Sequence, residues 1–294
     1  MKRFLIMLCI FAVTLVSRVQ PGVEPTPPAV TGEVVYGPVA PPLTTGIITS
    51  DEVSAPPPES TLPTVVTTAP PTTTQPTTAP PVKNPREDIL VCLDAGHGLI
   101  DPGAIGKLKG VTYYEKNLNL AVALLTKQEL EARGYRVLMI RTGDTALLGG
   151  ADKNASYKTA DEAVARRQLA KRMGADLYIS IHCNAYVGTI RAYGPLVFYN
   201  SSESTTYRAL SLARAFSARF TELNAGFAGA RACDVRAGDS YIVLRELTMP
   251  ALLLELGFMT DEGDLSLLIR RDWQEGCAGA IGAGVEDAFL KGWI

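Results

Sequence analysis

The sequence predicts an α/β fold for residues 86–294, a single domain with a mostly parallel central sheet flanked by helices. Two observations carry this prediction. Apolar runs of strand length alternate with longer segments whose apolar residues recur at helical spacing, which is the pattern of strand–helix–strand units. The strand-length runs are mostly continuous rather than alternating, as expected of strands covered on both faces.

The predicted strands are short apolar runs bounded by turn residues or charges. The first ends at Asp94 and the last is interrupted by a single acid, Glu255. In chain order they are ILVCLD (89–94), YRVLMIR (135–141), ADLYISIHCN (175–184), GPLVFYN (194–200), SYIVLREL (240–247) and PALLLELGF (250–258).

The predicted helices carry the stop and start signals that helices use. Residues 116–134 end at Gly134, and residues 159–174 begin at Thr159, a favourable N-cap, and end at Gly174. Further helices are predicted at residues 204–223, in DEGDLSLLIR and in DWQEGCAGAIGAGVEDAFLKG.

The first 18 residues read as a signal peptide or a membrane anchor. Lys2 and Arg3 precede a 13-residue apolar run from Phe4 to Val16, which is too short to span a bilayer comfortably. We therefore expect an extracytoplasmic protein that is either secreted or, if the segment is retained, tethered to the membrane at the cell wall.

Residues 19–85 are expected to be a disordered linker. They hold 17 of the 20 prolines in the chain and threonine-rich stretches such as TTAPPTTTQPTTAPP. Such a segment cannot bury enough apolar surface to offset its ordering entropy, and proline keeps it extended. The linker would therefore act as a spacer between the first segment and the domain.

Charge and cysteine content exclude some functions. The formal net charge is −2, so the chain lacks the excess of positive charge that binding to nucleic acid requires. As a separate expectation, the protein is a monomer. Four cysteines lie in the domain without a CxxC spacing, which argues against a cysteine zinc cage. Export permits disulfides, but the sequence leaves all three pairings open among Cys92, Cys183, Cys233 and Cys277.

The only two histidines fall at comparable places in the predicted fold. His97, in VCLDAGHGLIDPGAIG, follows the first strand, and His182, in YISIHCNA, lies near the end of the third. Ligands of parallel sheets bind at the carboxyl ends of strands, and the glycines beside His97 permit close approach. Two histidines at one edge indicate a metal, and a catalytic zinc needs a third protein ligand.

Two glutamates are candidates for that third ligand. Glu115 opens the first predicted helix, directly after the His97 loop, whereas Glu255 lies inside an apolar strand where an unpaired carboxylate is costly. Each also has an ordinary interpretation, since acids favour the first turn of a helix and core acids are often ion-paired. There is no HExxH helix to decide between them.

Four segments together resemble the zinc-dependent N-acetylmuramoyl-L-alanine amidases with the type-3 amidase domain. They are LDAGHGLIDPGAIG, the glutamate that opens the next helix, ADLYISIHCNA and PALLLELGFMTDEGDLSLL, in the same order over about residues 88–291. The resemblance implies that His97, Glu115 and His182 bind one Zn²⁺ per domain and that Glu255 is the catalytic carboxylate.

The resemblance also implies a reaction, namely hydrolysis of the amide between N-acetylmuramic acid and L-alanine in the peptidoglycan of bacterial cell walls. Arg141 and Arg166 coincide with arginines of similar proteins, where a structural role is implied. Two alternatives remain: a zinc peptidase acting within the stem peptide, and a wall-binding module without catalysis. The sequence does not distinguish autolysis, cell separation and spore-cortex remodelling.

Overall fold

A computed structural model describes residues 84–149, 159–201 and 206–294. The predicted signal or anchor segment and the linker up to residue 83 lie outside the described residues. A short 3₁₀ helix, Pro85–Asp88, lies at the start of the domain and is N-capped by Asn84. Its Arg86 side chain forms an ion pair with Glu286 near the C-terminus, which attaches this first turn to the domain.

The central sheet has six strands and is mostly parallel, as predicted. The first, second, third and sixth of its strands along the chain run parallel to one another, whereas the fourth and fifth, which follow His182, run antiparallel to these four. The bounds of the strands are β1 Leu90–Ala95, β2 Ile105–Leu108, β3 Val111–Tyr114, β4 Arg136–Met139, β5 Leu177–Asn184, β6 Leu196–Tyr199, β7 Asp234–Ala237 and β8 Ala251–Phe258. The spatial order in the central sheet is β4-β1-β5-β8-β6-β7, and β2 and β3 form a separate hairpin.

Helices cover both faces of the sheet, which confirms the predicted α/β architecture. The bounds are α1 Glu115–Ala132, α2 Thr159–Arg172, α3 Thr206–Ala225, α4 Glu262–Leu268 and α5 Arg271–Leu290. Leu252 and Leu254 of β8 share a core with α1, α3 and α5, whereas Leu253 faces α2 on the other side. Among the described residues, no helix is long and apolar enough to cross a membrane.

One predicted strand is wrong and three short strands are absent from the prediction. Residues 240–247 contain a 3₁₀ turn, Ile242–Leu244, instead of a strand. Its hydrogen bonds are local, and Leu244 is buried against the α2 side of the sheet. The unpredicted strands are β7, at the sheet edge, and the β2–β3 hairpin, whose turn residues Lys109 and Gly110 both have positive φ, as a type I′ turn requires.

The four cysteines of the domain are buried free thiols. Cys92 and Cys277 are fully inaccessible in two different cores, on opposite faces of the sheet. The sequence left the disulfide pairing open, and in the structure none of these four cysteines is paired. Burial raises the pKa of each thiol, so they behave as small apolar side chains.

Candidate metal centre and catalytic carboxylate

The carboxyl edge of the central strands brings the predicted site residues together. His182 of β5 lies in register beside Glu255 of β8, while His97 follows β1 and Glu115 is the first residue of α1. The ligating atoms of His97, Glu115 and His182 all lie within 4.8 Å of one another. Three donors at this spacing could hold a single metal ion.

Glu115 is the centre of this cluster. Its Oε1 lies 2.9 Å from His182 Nδ1 and 3.1 Å from His97 Nε2. Backbone amides hold the carboxylate from two sides, since Cys183 N donates to Oε1 at 3.0 Å and Ala104 N donates to Oε2 at 2.7 Å. Burial alone would raise the pKa of Glu115, but the two imidazoles hold it well below its usual range. The group is therefore a fixed anion.

The His97 imidazole is oriented by a second carboxylate. Its Nδ1 lies 2.8 Å from Asp101 Oδ2, which directs Nε2 towards Glu115. A carboxylate behind an imidazole is the usual way of fixing the tautomer and orientation of a metal-binding histidine. Burial lowers the pKa of His97, but the carboxylates of Glu115 and Asp101 raise it by more, to about 10. The cluster thus attracts positive charge, either a proton or a metal cation.

Two glycines make room for these side chains. A Cβ on Gly96 would lie 2.2 Å from the His182 ring, and one on Gly103 would lie 2.5 Å from Glu115 Oε2 and 2.7 Å from His97 Cδ2. From the sequence, the glycines beside His97 are expected to permit the close approach of a ligand. In the structure, Gly96 and Gly103 instead make room for the imidazole and carboxylate groups of the cluster itself.

Glu255 is buried, as its place inside an apolar strand predicts. Its side chain lies in the sheet at 7% exposure, in register with His182 on one side and Leu196 of β6 on the other. In the described part of the chain its Oε2 has no hydrogen-bond partner and no cation forms an ion pair with it. Burial first, and then the negative charge of Glu115, raise the pKa of Glu255 well above its usual range. An orphaned buried carboxyl beside a cluster of potential metal ligands needs a functional reason.

Two residues that contact the cluster were missed by the sequence analysis. One is Asp101; the other is Asn119, whose Nδ2 donates to Glu115 Oε1 at 3.1 Å and to Gly96 O at 3.3 Å. A signal existed for each. Asn119 follows Glu115 by four residues in the same helix, a spacing that places the two side chains on one face, and Asp101 follows His97 by four residues, before a Pro-Gly turn.

Comparison with known families gives a consistent result. The Amidase_3 family, described as N-acetylmuramoyl-L-alanine amidase, matches residues 91–287. Among curated proteins, the germination-specific N-acetylmuramoyl-L-alanine amidase of Bacillus subtilis (strain 168) is 29% identical over 203 residues, which cover 69% of this chain and 80% of the relative.

Solved structures agree. The CwlD amidase from Clostridioides difficile, in complex with the GerS lipoprotein, matches with a TM-score of 0.59 and 27% identity, over 69% of this chain and 98% of that one. The catalytic domain of CwlV, an N-acetylmuramoyl-L-alanine amidase from Bacillus (Paenibacillus) polymyxa var. colistinus, matches with a TM-score of 0.55 and 27% identity, at the same coverages. The family match covers residues 91–287, which is most of the chain and includes the strand edge where the cluster lies. The chain therefore belongs to the N-acetylmuramoyl-L-alanine amidases, hydrolases of cell-wall peptidoglycan.

Proposed function

We propose that this amidase is zinc-dependent, with one Zn²⁺ held by His97, Glu115 and His182 and with Glu255 as the group that moves the proton. The observation that carries the proposal is the convergence of the three donor atoms within 4.8 Å. Two imidazoles and one carboxylate are a known donor set of catalytic zinc, which keeps a fourth position open.

The residues present fit that ion. The imidazole and carboxylate donors suit zinc, and none of the buried thiols belongs to the group. Asp101 supports His97 as an outer carboxylate does in metal sites. The contacts of Glu115 Oε1 with the two imidazoles are the ones that a shared cation would replace.

The side chains supply the proton path of the reaction. When bound, zinc provides a Lewis acid that polarises the amide carbonyl and lowers the pKa of water towards about 7. The Glu255 carboxylate takes a proton from the attacking water and gives it to the alanine nitrogen as the carbon–nitrogen bond breaks. The products are a lactyl carboxylate on the sugar and a free amine on the stem peptide. The raised pKa of Glu255 suits a group that must both accept and release this proton.

The bond that is cut separates the main function from its alternatives. A peptidase acting within the stem peptide would use the same metal and the same carboxylate, and a wall-binding module without catalysis would have no need of Glu255. Family membership and the filled positions favour the amidase. Mass spectrometry of purified peptidoglycan digested with the full chain should show stem peptides with a free L-alanine amine and unsubstituted lactyl groups. Fragments cut between amino acids of the stem would contradict the proposal.

We also propose the domain order expected from the sequence. Residues 1–18 would export or anchor the chain, residues 19–85 would be a disordered spacer, and residues 86–294 would be a monomeric catalytic domain at the cell wall. The support is the composition of the two N-terminal segments and the cell-wall substrate of the family.

A chain that begins at Pro80 tests the spacer. We expect it to fold and to hydrolyse soluble muropeptides within about twofold of the full chain, because it keeps the first turn and the Arg86–Glu286 ion pair. A second chain that begins at Ile89 lacks this pair and should melt at a lower temperature. Failure of the Pro80 chain to fold would show that the domain needs residues before Pro80, and would contradict the role of residues 19–85 as a spacer.

Gly103→Ala tests the space around the ligands. The new Cβ would overlap Glu115 Oε2 and His97 Cδ2, so we expect zinc binding and amidase turnover to fall at least tenfold. Gly110→Ala is the matched control, because its φ is also positive but nothing lies within 4 Å of the added Cβ. Both variants carry a backbone penalty of about 1–2 kcal/mol. Equal zinc affinity in the two proteins would remove the steric argument.

A further inference from the structure

We infer that Arg141 and Arg166 are positioning residues of the metal site, which hold the loop of His97 through hydrogen bonds to three successive backbone carbonyls. The inference rests on the proposed function, because it takes His97 as a metal ligand. Both arginines are buried, Arg141 at 4% and Arg166 at 3% exposure, and the hydrogen bonds that connect them to His97 and Glu115 end on the backbone and not on the ligating side chains.

Arg166 reaches the loop from α2. Its Nη2 donates to His97 O at 2.7 Å, and its Nη1 donates to Ala95 O and to Asp94 Oδ1, both at 2.8 Å. Glu162, one turn earlier on α2, accepts from Nε at 3.1 Å. Arg166 thereby fixes the peptide group of His97 against the end of β1.

Arg141 reaches the same loop from the end of β4. Its Nε donates to Ala95 O at 2.8 Å, and its Nη2 donates to Gly96 O at 3.0 Å and to Lys116 O at 2.7 Å. Gly96 precedes His97 and Lys116 follows Glu115. A single guanidinium therefore joins the backbone next to one ligand to the backbone next to another, which sets the separation of the two.

The loop needs such support because its backbone is unfavourable. His97 has φ 63° and Leu99 has φ 55°, values that residues with a Cβ adopt only when their surroundings impose them. The planar fork of arginine can hold several carbonyls at once, which the ammonium of lysine cannot do in the same geometry.

The arrangement is also costly, so its presence calls for a reason. Two buried cations lie close together, and burial followed by the charge of Arg166 lowers the pKa of Arg141 to about 10. Asp94, fully buried, counters part of this charge and is itself held by Tyr178 Oη at 2.5 Å and Ser180 Oγ at 3.1 Å. A buried apolar contact would stabilise the fold at lower cost, but it could not hold the carbonyls.

Arg166→Lys is the test, with Arg167→Lys as its matched control. Arg167 is the next residue of α2, is also buried, and donates to Arg245 O at 2.6 Å and to Glu246 Oε2 at 2.7 Å, in the segment before β8. Zinc affinity is measured on the full chain by chelator competition, together with the melting temperature. We expect Arg166→Lys to bind zinc about 10- to 100-fold more weakly, as for other outer-shell partners, and Arg167→Lys to keep the wild-type affinity.

The outcomes separate the inference from the proposed function. A wild-type chain that binds no zinc would overturn the proposed function itself. Wild-type affinity in Arg166→Lys, or an equal loss of affinity in both variants, would overturn the positioning role while leaving the zinc site intact. If Arg166→Lys does not fold, Arg141→Lys decides by the same competition, with the same expected loss.

Discussion

Glu255→Gln should lower amidase turnover on purified peptidoglycan by at least about 100-fold, the usual loss when a positioned proton-transfer group is removed. Zinc content and melting temperature should stay close to the wild-type values. Glutamine fills the same space as the carboxyl and cannot move a proton. Because Glu255 has no ion-pair partner among the described residues, the change leaves no partner charge unpaired.

A second buried glutamate provides the control for stability. Glu162 accepts from Leu147 N, Leu148 N and Arg166 Nε, so Glu162→Gln breaks an ion pair and should lower the melting temperature by several degrees. Turnover of Glu255→Gln near the wild-type rate would refute its catalytic role. Loss of zinc would make Glu255 a ligand, and a melting temperature that falls like that of Glu162→Gln would make it structural.

His182→Ala should abolish tight zinc binding and, with it, amidase activity. Two ligands remain in this variant, so the loss of affinity should exceed the roughly 100-fold upper range for outer-shell partners. The fold should survive, since the ring occupies the space above Gly96 at the edge of the sheet and is not part of either apolar core. Zinc content after dialysis, with melting temperature from the same preparation, is the measurement.

His97→Ala is the companion variant and should behave in the same way, because both imidazoles contact the same oxygen of Glu115. Stoichiometric zinc in dialysed His182→Ala would contradict the ligand assignment. Zinc retained in one histidine variant and lost in the other would restrict the error to a single ligand.

The fold was predictable where burial is continuous. The central strands β1, β5 and β8 lie within two residues of the predicted runs, because strands covered on both faces read as unbroken apolar sequence. Residues 240–247 contain a shorter apolar run from Tyr241 to Leu244, but this run forms a tight turn in which Leu244 is buried, and periodicity does not separate the two cases. The edge strand β7 is half-exposed and contains Asp234 and Arg236, so it carries little apolar signal.

The site residues were predictable where a residue type is rare in the chain or unusual in its surroundings. His97 and His182 are the only histidines, and Glu255 is an acid in an apolar strand. Asp101 was missed because an acid beside a proline and a glycine also reads as a turn former. The contacts of Arg166 were not predictable in the same way, because they end on backbone carbonyls, which every residue possesses.

Zinc titration of the metal-depleted full chain tests the central claim most directly. After chelation the amidase rate on peptidoglycan should fall to the level of His182→Ala, because no side chain of the cluster replaces the cation. As Zn²⁺ is added, the amidase rate should rise linearly and level off at one equivalent per chain, as expected for one ion held by His97, Glu115 and His182. Full activity in the depleted chain, or a rate that levels off only at two equivalents, would contradict this account.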